Sequence, residues 1–302
     1  MVRAEAAARL RPRPIAEHRY TLLDVFTDRP LAGNGLAVVH DADDLSDAVM
    51  HAFARETRLS ETSFVQSPGP GAERADYRHR IFTMAGEIPF AGHPSLGVAA
   101  AVARARGERS GNFVQQTQPG EQAVDVELDG LHARVSMLQE PPSFGPELDP
   151  AATLGLAGLT AADADPRLPC QVVGTGVNQV LACVADPAAL ARLVPDFDGI
   201  GALLGTHGAV TLYVAAVDPE AGRARARSFM RTAEMGEDPA TGSAVGPLAA
   251  HVAARTGAEQ LEVVQGVEMG RPSLLRTAIE GNHVRVGGDA VILIEGIVHL
   301  DA

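Results

Sequence analysis

The chain nearly repeats itself, and no other feature so narrows the folds open to it. His93-Pro94-Ser95-Leu96-Gly97-Val98-Ala99 aligns with Asp238-Pro239-Ala240-Thr241-Gly242-Ser243-Ala244, with Pro, Gly and Ala in the same places. Upstream, Asn34-Gly35-Leu36-Ala37-Val38-Val39 matches Asn178-Gln179-Val180-Leu181-Ala182-Cys183-Val184 with one insertion, and Arg80-Ile81-Phe82 has a counterpart in Arg227-Ser228-Phe229. The spacing agrees too: 59 residues from Asn34 to His93 and 60 from Asn178 to Asp238. Three matches in one order mark a duplication, so both halves should build the same unit. At 302 residues the chain also exceeds the usual size of one core, which favours two packed domains.

β-branched and aromatic segments between Gly, Pro and Asp predict strands at 19–27, 35–40, 62–66 and 78–83 in the first half. The second half offers 122–128, 132–138, 171–176, 179–185, 210–217, 225–230 and 261–267. Each repeated motif opens a helix, and Gly107 and Gly257 are suited to end them. Leu96, Ala99, Ala100 and Ala103 recur at helical spacing, as do Val245, Leu248, Ala249 and Val252, and the remaining faces are mostly Ala, Gly or Val. A helix apolar nearly all round must be enclosed, and a curved sheet is the natural enclosure. The expected fold is therefore α+β: two pseudo-symmetric domains, each a curved mixed sheet wrapped around a central helix. A further helix is expected at 46–57, with Ser46 as its cap and Val49, Met50, Phe53 and Ala54 as its apolar stripe.

The implied organisation is a flexible extension over 1–18, a first lobe over 19–118 and a second over 119–289. A last strand returns residues 290–302 to the first lobe. The segment 140–169, rich in Pro, Ala and Asp, reads as a long decorated connection. The extension carries Arg3, Arg9, Arg11 and Arg13 without an apolar h-region, unlike a secretory peptide.

A formal charge of -13 opposes a nucleic-acid partner, which selects clustered Lys and Arg. No apolar run reaches the roughly 18 residues of a membrane span. Cys170 and Cys183 form no CxxC and no Cys/His cluster, so neither a disulfide framework nor a structural metal is expected, and a reducing cytoplasmic setting is.

Pro94 and Pro239 suit the first helical position, which would make His93 and Asp238 N-caps. Two buried helices would then aim unpaired N–H groups into one cleft and hold a small carboxylate, with Gly92 and Gly242 allowing close approach and Thr241 and Ser243 adding hydroxyls. Taken alone, Asp238 reads as a cap and Glu61 as a surface carboxylate. A Glu in an apolar cleft, however, has a raised pKa and can carry protons near neutrality. Arg271, in Met269-Gly270-Arg271-Pro272-Ser273, suits either a carboxylate anchor or a loop tether.

The strings LLDVFTDRPLAGNGLAVV, ARETRLSETSFV, RIFTMAGEIPFAGHPSLGVAAA, GEDPATGSAVGPLAAHV and VVQGVEMGRPSLL together resemble the PhzF-like phenazine-biosynthesis family, from about residue 22 to 275. The resemblance implies a diaminopimelate-epimerase-like fold with the active site between the lobes. By motif, Glu61 in SET is similar to the family's catalytic glutamate. His93 in GHP, and Asp238 and Ser243 in EDPATGS, match its other polar site residues. The implied activity is isomerisation of trans-2,3-dihydro-3-hydroxyanthranilate without metal or organic cofactor, by a homodimer. One departure is Gly33-Asn34-Gly35, where the family commonly has GNP, and it leaves room for another substrate, such as an unsaturated amino acid or a 4-alkyl-proline precursor. A non-catalytic small-anion binder is the remaining alternative. Racemases of this fold carry a cysteine at each helix opening; here those openings hold Gly92-His93 and Glu237-Asp238, so two-thiol inversion is not expected.

Overall fold

The computed structural model describes residues 15–301. Of the extension expected over 1–18, residues 1–14 lie outside the described residues, and the remainder belongs to the first strand. The first half runs β1 (Ile15–Val25), β2 (Asn34–Val39), α1 (Asp47–Thr57), β3 (Glu61–Gln66), β4 (Tyr77–Thr83), β5 (Gly86–Ile88), α2 (Gly92–Arg106), β6 (Ser110–Gln116), β7 (Glu121–Asp129) and β8 (His132–Gln139). Then follow β9 (Ser143–Glu147), α3 (Pro150–Gly155), β10 (Gln171–Gly174), β11 (Asn178–Val184), α4 (Phe197–His207), β12 (Ala209–Asp218), β13 (Arg223–Phe229), β14 (Glu237–Asp238), α5 (Gly242–Thr256), β15 (Gln260–Gln265), β16 (Ser273–Glu280) and β17 (His283–Asp301).

The duplication is written in the strand pairing. β1–β2 and β10–β11 are antiparallel, and β2–β3 and β11–β12 parallel. β3–β4 and β12–β13 are antiparallel, β4–β6 and β13–β15 parallel, and β6–β7 and β15–β16 antiparallel. The parallel crossovers are made by α1 and α4, as such connections usually require.

This pairing corrects the sequence alignment of the repeat. Glu87 faces Phe82 and Glu237 faces Phe229, so Glu87-Ile88-Pro89 corresponds to Glu237-Asp238-Pro239. Both central helices are 15 residues long and start at glycine, Gly92 and Gly242, so His93 corresponds to Ser243 and not to Asp238. Helices built from Gly and Ala match themselves at several offsets, whereas a ladder fixes one register. The expected N-caps move with it: Ala91 and Thr241 hold those positions, His93 lies in the first turn, and Asp238 sits at the end of β14. Pro94 is third in its helix, which costs nothing because the first-turn N–H groups have no intrahelical acceptor anyway.

Twelve of the fifteen residues of α2 and ten of the fifteen of α5 are buried, as all-round apolar helices require. The helices end at Gly107 and Gly257 with φ of 73° and 76°, a conformation glycine adopts without strain. Strands β7 and β8, read from sequence as second-half material, pack on α2. The sheet around the first helix thus runs past residue 118, because β6 hands on to β7 by a tight turn. β17 pairs with β8 and β16 at its start and with β1 from Ala290 onward. The segment 140–169 carries β9, α3 and a single 3-10 turn at Ala161–Asp163. Among the described residues no helix is long and apolar enough to cross a membrane.

Candidate active site

The tips of α2 and α5 meet. A Cβ built on Gly92 would lie 2.8 Å from Ser243 N and 2.9 Å from Gly242 C, so only glycine permits this approach. Two helix N-termini, each worth about half a positive charge, thus abut between the lobes.

Glu61 reaches the same region by a different route. Helix α1 stops at Arg58, held at φ 55°, and Thr57 Oγ1 lies 2.7 Å from Thr62 Oγ1 across the turn. β3 then starts at Glu61, beside Leu36 of β2. The Glu61 side chain is 13% exposed, and its Oε2 is 3.3 Å from His93 Nδ1. Asn34, at the start of β2, joins the two halves: its Nδ2 donates to Asp238 Oδ1 at 2.9 Å and to Ala240 O at 3.1 Å, and lies 3.3 Å from His93 Nδ1. Asp238 also accepts from Thr241 Oγ1 at 2.5 Å and Ser60 Oγ at 3.3 Å.

The electrostatics follow from burial. The carboxyl of Glu61 is pushed well above the usual range, first by loss of water and then by repulsion from Asp238. Asp238 is raised too, by burial, although its bonds from Thr241, Asn34 and Ser60 pull the other way. His93 is driven down to about 3 by burial, against an opposing hydrogen bond with the Gly35 backbone, so it is a neutral imidazole at neutral pH. Glu61 Oε2 and His93 Nε2 are buried without a hydrogen-bond partner. Buried polar atoms usually find partners, and what sets these two apart from the other orphaned atoms, such as those of His251, is their place beside Asp238. Two acids that share the cost of ionising, beside a neutral imidazole, form a unit able to take and return one proton near neutrality.

Glu61 and Asp238 open onto a cavity of about 660 Å³ whose wall also includes Asn34, Gly35, Ser60 and Arg271. His93, Gly92, Thr241, Gly242 and Ser243 are not on that wall. The Thr241 hydroxyl is spent on Asp238, and Ser243 Oγ lies 3.4 Å from Gln179 Nε2. Arg271 donates through Nε to Gly33 O at 2.8 Å and through Nη2 to Asp24 at 2.6 Å and Ala32 O at 2.8 Å. These bonds tether the loop between β1 and β2, the second of the two uses read from sequence. Asn34 was absent from the sequence-derived site, although its place in the GNG motif was the available signal.

Twin lobes around central helices, with an acid from each meeting beside the abutting helix tips, define the diaminopimelate-epimerase-like class. A hydroxyproline epimerase of Agrobacterium vitis shares this fold, with TM-score 0.62 at 14% identity over 95% of this chain and 92% of its own. The chain belongs to the phenazine biosynthesis-like protein family, whose PhzC-PhzF model matches residues 23–296. It is 38% identical over 299 residues to a Pseudomonas aeruginosa protein named trans-2,3-dihydro-3-hydroxyanthranilate isomerase, covering 94% of this chain and all of that one. A solved structure described as a predicted epimerase from the same organism aligns with TM-score 0.82 at 35% identity, over 93% of this chain and 99% of that chain. At this level the relatives support an isomerase.

Proposed function

We propose that this protein is a cofactor-independent isomerase of a small unsaturated amino or hydroxy carboxylate, working by general acid/base catalysis. The observation that carries the reading is Glu61: buried, without a hydrogen-bond partner at Oε2, and raised into the range where a carboxyl exchanges protons near neutrality. Ionised Glu61 takes a proton from a substrate C–H, and the electron pair left behind shifts into conjugation with the substrate carboxylate. The protonated Glu61 exchanges with water in the open cavity and then returns a proton to another carbon of the conjugated system, so no atom is gained or lost. The N-terminal dipoles of α2 and α5 favour the negative charge that accumulates between these steps. Neutral His93, whose Nδ1 lies 3.3 Å from Glu61 Oε2 without a hydrogen bond between them, places no charge beside the carboxyl. Asp238, bound by Asn34, Thr241 and Ser60, is suited to receive a substrate amine or hydroxyl.

The substrate of the 38%-identical relative, trans-2,3-dihydro-3-hydroxyanthranilate, is the first compound to try. Turnover in deuterated water, followed by NMR, should place one deuteron on the product carbon that gains hydrogen. Wild-type turnover retained by Glu61→Gln would end this reading. A non-catalytic anion binder would give binding with no deuterium uptake.

A further inference from the structure

The mouth of the cavity carries a collar that proton transfer does not require. Leu31, Met84, Met235 and Met269 all line the cavity and are 75%, 38%, 38% and 39% exposed. They come from four separate connections: β1–β2, β4–β5, β13–β14 and β15–β16. Two of these are equivalent hairpin tips, one from each half, so Met84 and Met235 approach the cleft from opposite lobes. Leu31 has φ 65°, an unfavourable conformation for a non-glycine residue, and Asp24 Oδ2 holds it there by accepting from its N–H at 2.7 Å. A strained backbone that presents a large apolar side chain to water is expected where a ligand covers it. Met230 adds a fourth thioether to the cavity wall. Thioethers adapt to irregular apolar shapes and make favourable contacts with ring edges. A volume of about 660 Å³ belongs to sites that enclose drug-sized ligands.

We infer that Leu31, Met84, Met235 and Met269 form an apolar collar that selects a substrate larger than a single-ring amino acid, with its polar head beside Glu61 and Asp238 and an apolar or aromatic extension among the thioethers. This inference names the substrate class of the site proposed above and rests on that reading for the placement of the polar head.

Calorimetric titration with anthranilate and 3-amino-2-naphthoate, which share one amino-carboxylate head, tests it. The naphthoate should bind about tenfold tighter, from the extra apolar surface it buries. The double variant Met84→Gln/Met235→Gln should bring the affinity ratio close to one, whereas Glu61→Gln should keep it. Equal affinities in the wild type, a preference that survives in the double variant, or failure of both acids to bind would overturn the collar. The ratio is an equilibrium quantity, so it reads the collar whether or not Glu61 moves a proton. A preserved preference without deuterium exchange would sink the isomerase reading and leave the collar standing.

Discussion

The two halves share a frame and differ at the positions that carry charge. Thr62 faces Phe82 as Leu212 faces Phe229, so Glu61 corresponds to Thr211. In the second half Gln179 closes that region: its Oε1 accepts from Thr211 N at 3.1 Å and Oγ1 at 2.9 Å, and its Nε2 donates to Ser243 O at 3.3 Å. That last bond serves the carbonyl that Pro247, four residues on, leaves without an intrahelical donor. The ladders pair Ala37 with Thr62 and Val180 with Leu212, so the first half has Leu36 where the second has Gln179, and no amide side chain reaches Glu61 from there. Asp238 in turn corresponds to Ile88. One lobe therefore supplies an acid where the other has a hydroxyl, and the second an acid where the first has a hydrocarbon. Elsewhere the copies stay alike: Arg80 grips Glu87 with bonds of 2.8 and 2.7 Å, and Arg227 grips Glu237 with the same two lengths. Duplication gave the cleft its walls, and divergence at a few paired positions gave it chemistry.

The sharpest way to break this contrast is to mutate the equivalent pair. Glu61→Gln should lower the deuterium-exchange rate by about 10²–10⁴, while Thr211→Ser should leave it within about threefold because its hydroxyl still meets Gln179. Comparable losses from both would show that the lobes share the proton work. Next in size is the glycine contact. Gly92→Ala places its Cβ 2.8 Å from backbone, and Gly242→Ala meets chiefly the Cζ edge of the Phe26 side chain at 3.0 Å, with backbone no nearer than 3.4 Å. Urea unfolding should therefore register about 3 kcal/mol for the first and about 1 for the second.

Gln179→Ala should cost about 1–3 kcal/mol by stranding Thr211 and Ser243 O, with the exchange rate preserved. Glu61→Gln supplies the opposite sign. The folded-state pKa of Glu61 lies above its unfolded value, so its carboxyl favours folding below the unfolded value and that contribution is lost as pH rises through the raised one. The variant should gain Tm relative to wild type at alkaline pH and not at pH 4, by about 2–4 °C for each kcal/mol. A Tm difference independent of pH would mean that Glu61 keeps its charge in water. Smallest is stereochemistry: both cysteines are buried, and the helix tips carry His93 and Ser243, so no racemisation of diaminopimelate or proline should be measurable by chiral chromatography.

Much of the frame was legible in the sequence because it depends on local rules. Gly107 and Gly257 end their helices as left-handed caps, and Ser46 accepts from Val49 N as an N-cap should. Helix α4 was not read, since Gly199, Gly201 and Gly205 dilute its periodicity; Asp196, which accepts from Gly199 N, was the clue. Strand β6 escaped because Ser110-Gly111-Asn112 has little strand character. The site was legible as a set of motifs but not as a geometry. Asp238 and Asn34 meet across 204 residues, and Arg271 and Asp24 across 247, distances over which no sequence period operates.

The nineteen-residue strand β17 has a consequence for how the molecule is made. Ile15 lies opposite Asp301, so one edge of β1 has no partner until residues 290–301 have been made. Contacts of such long sequence separation form slowly. Pulse-labelled amide exchange during refolding should find β2 to β4 protected before the β1–β17 ladder. Removal of residues 290–301 should expose a bare strand edge on the opposite half of the protein and promote aggregation there.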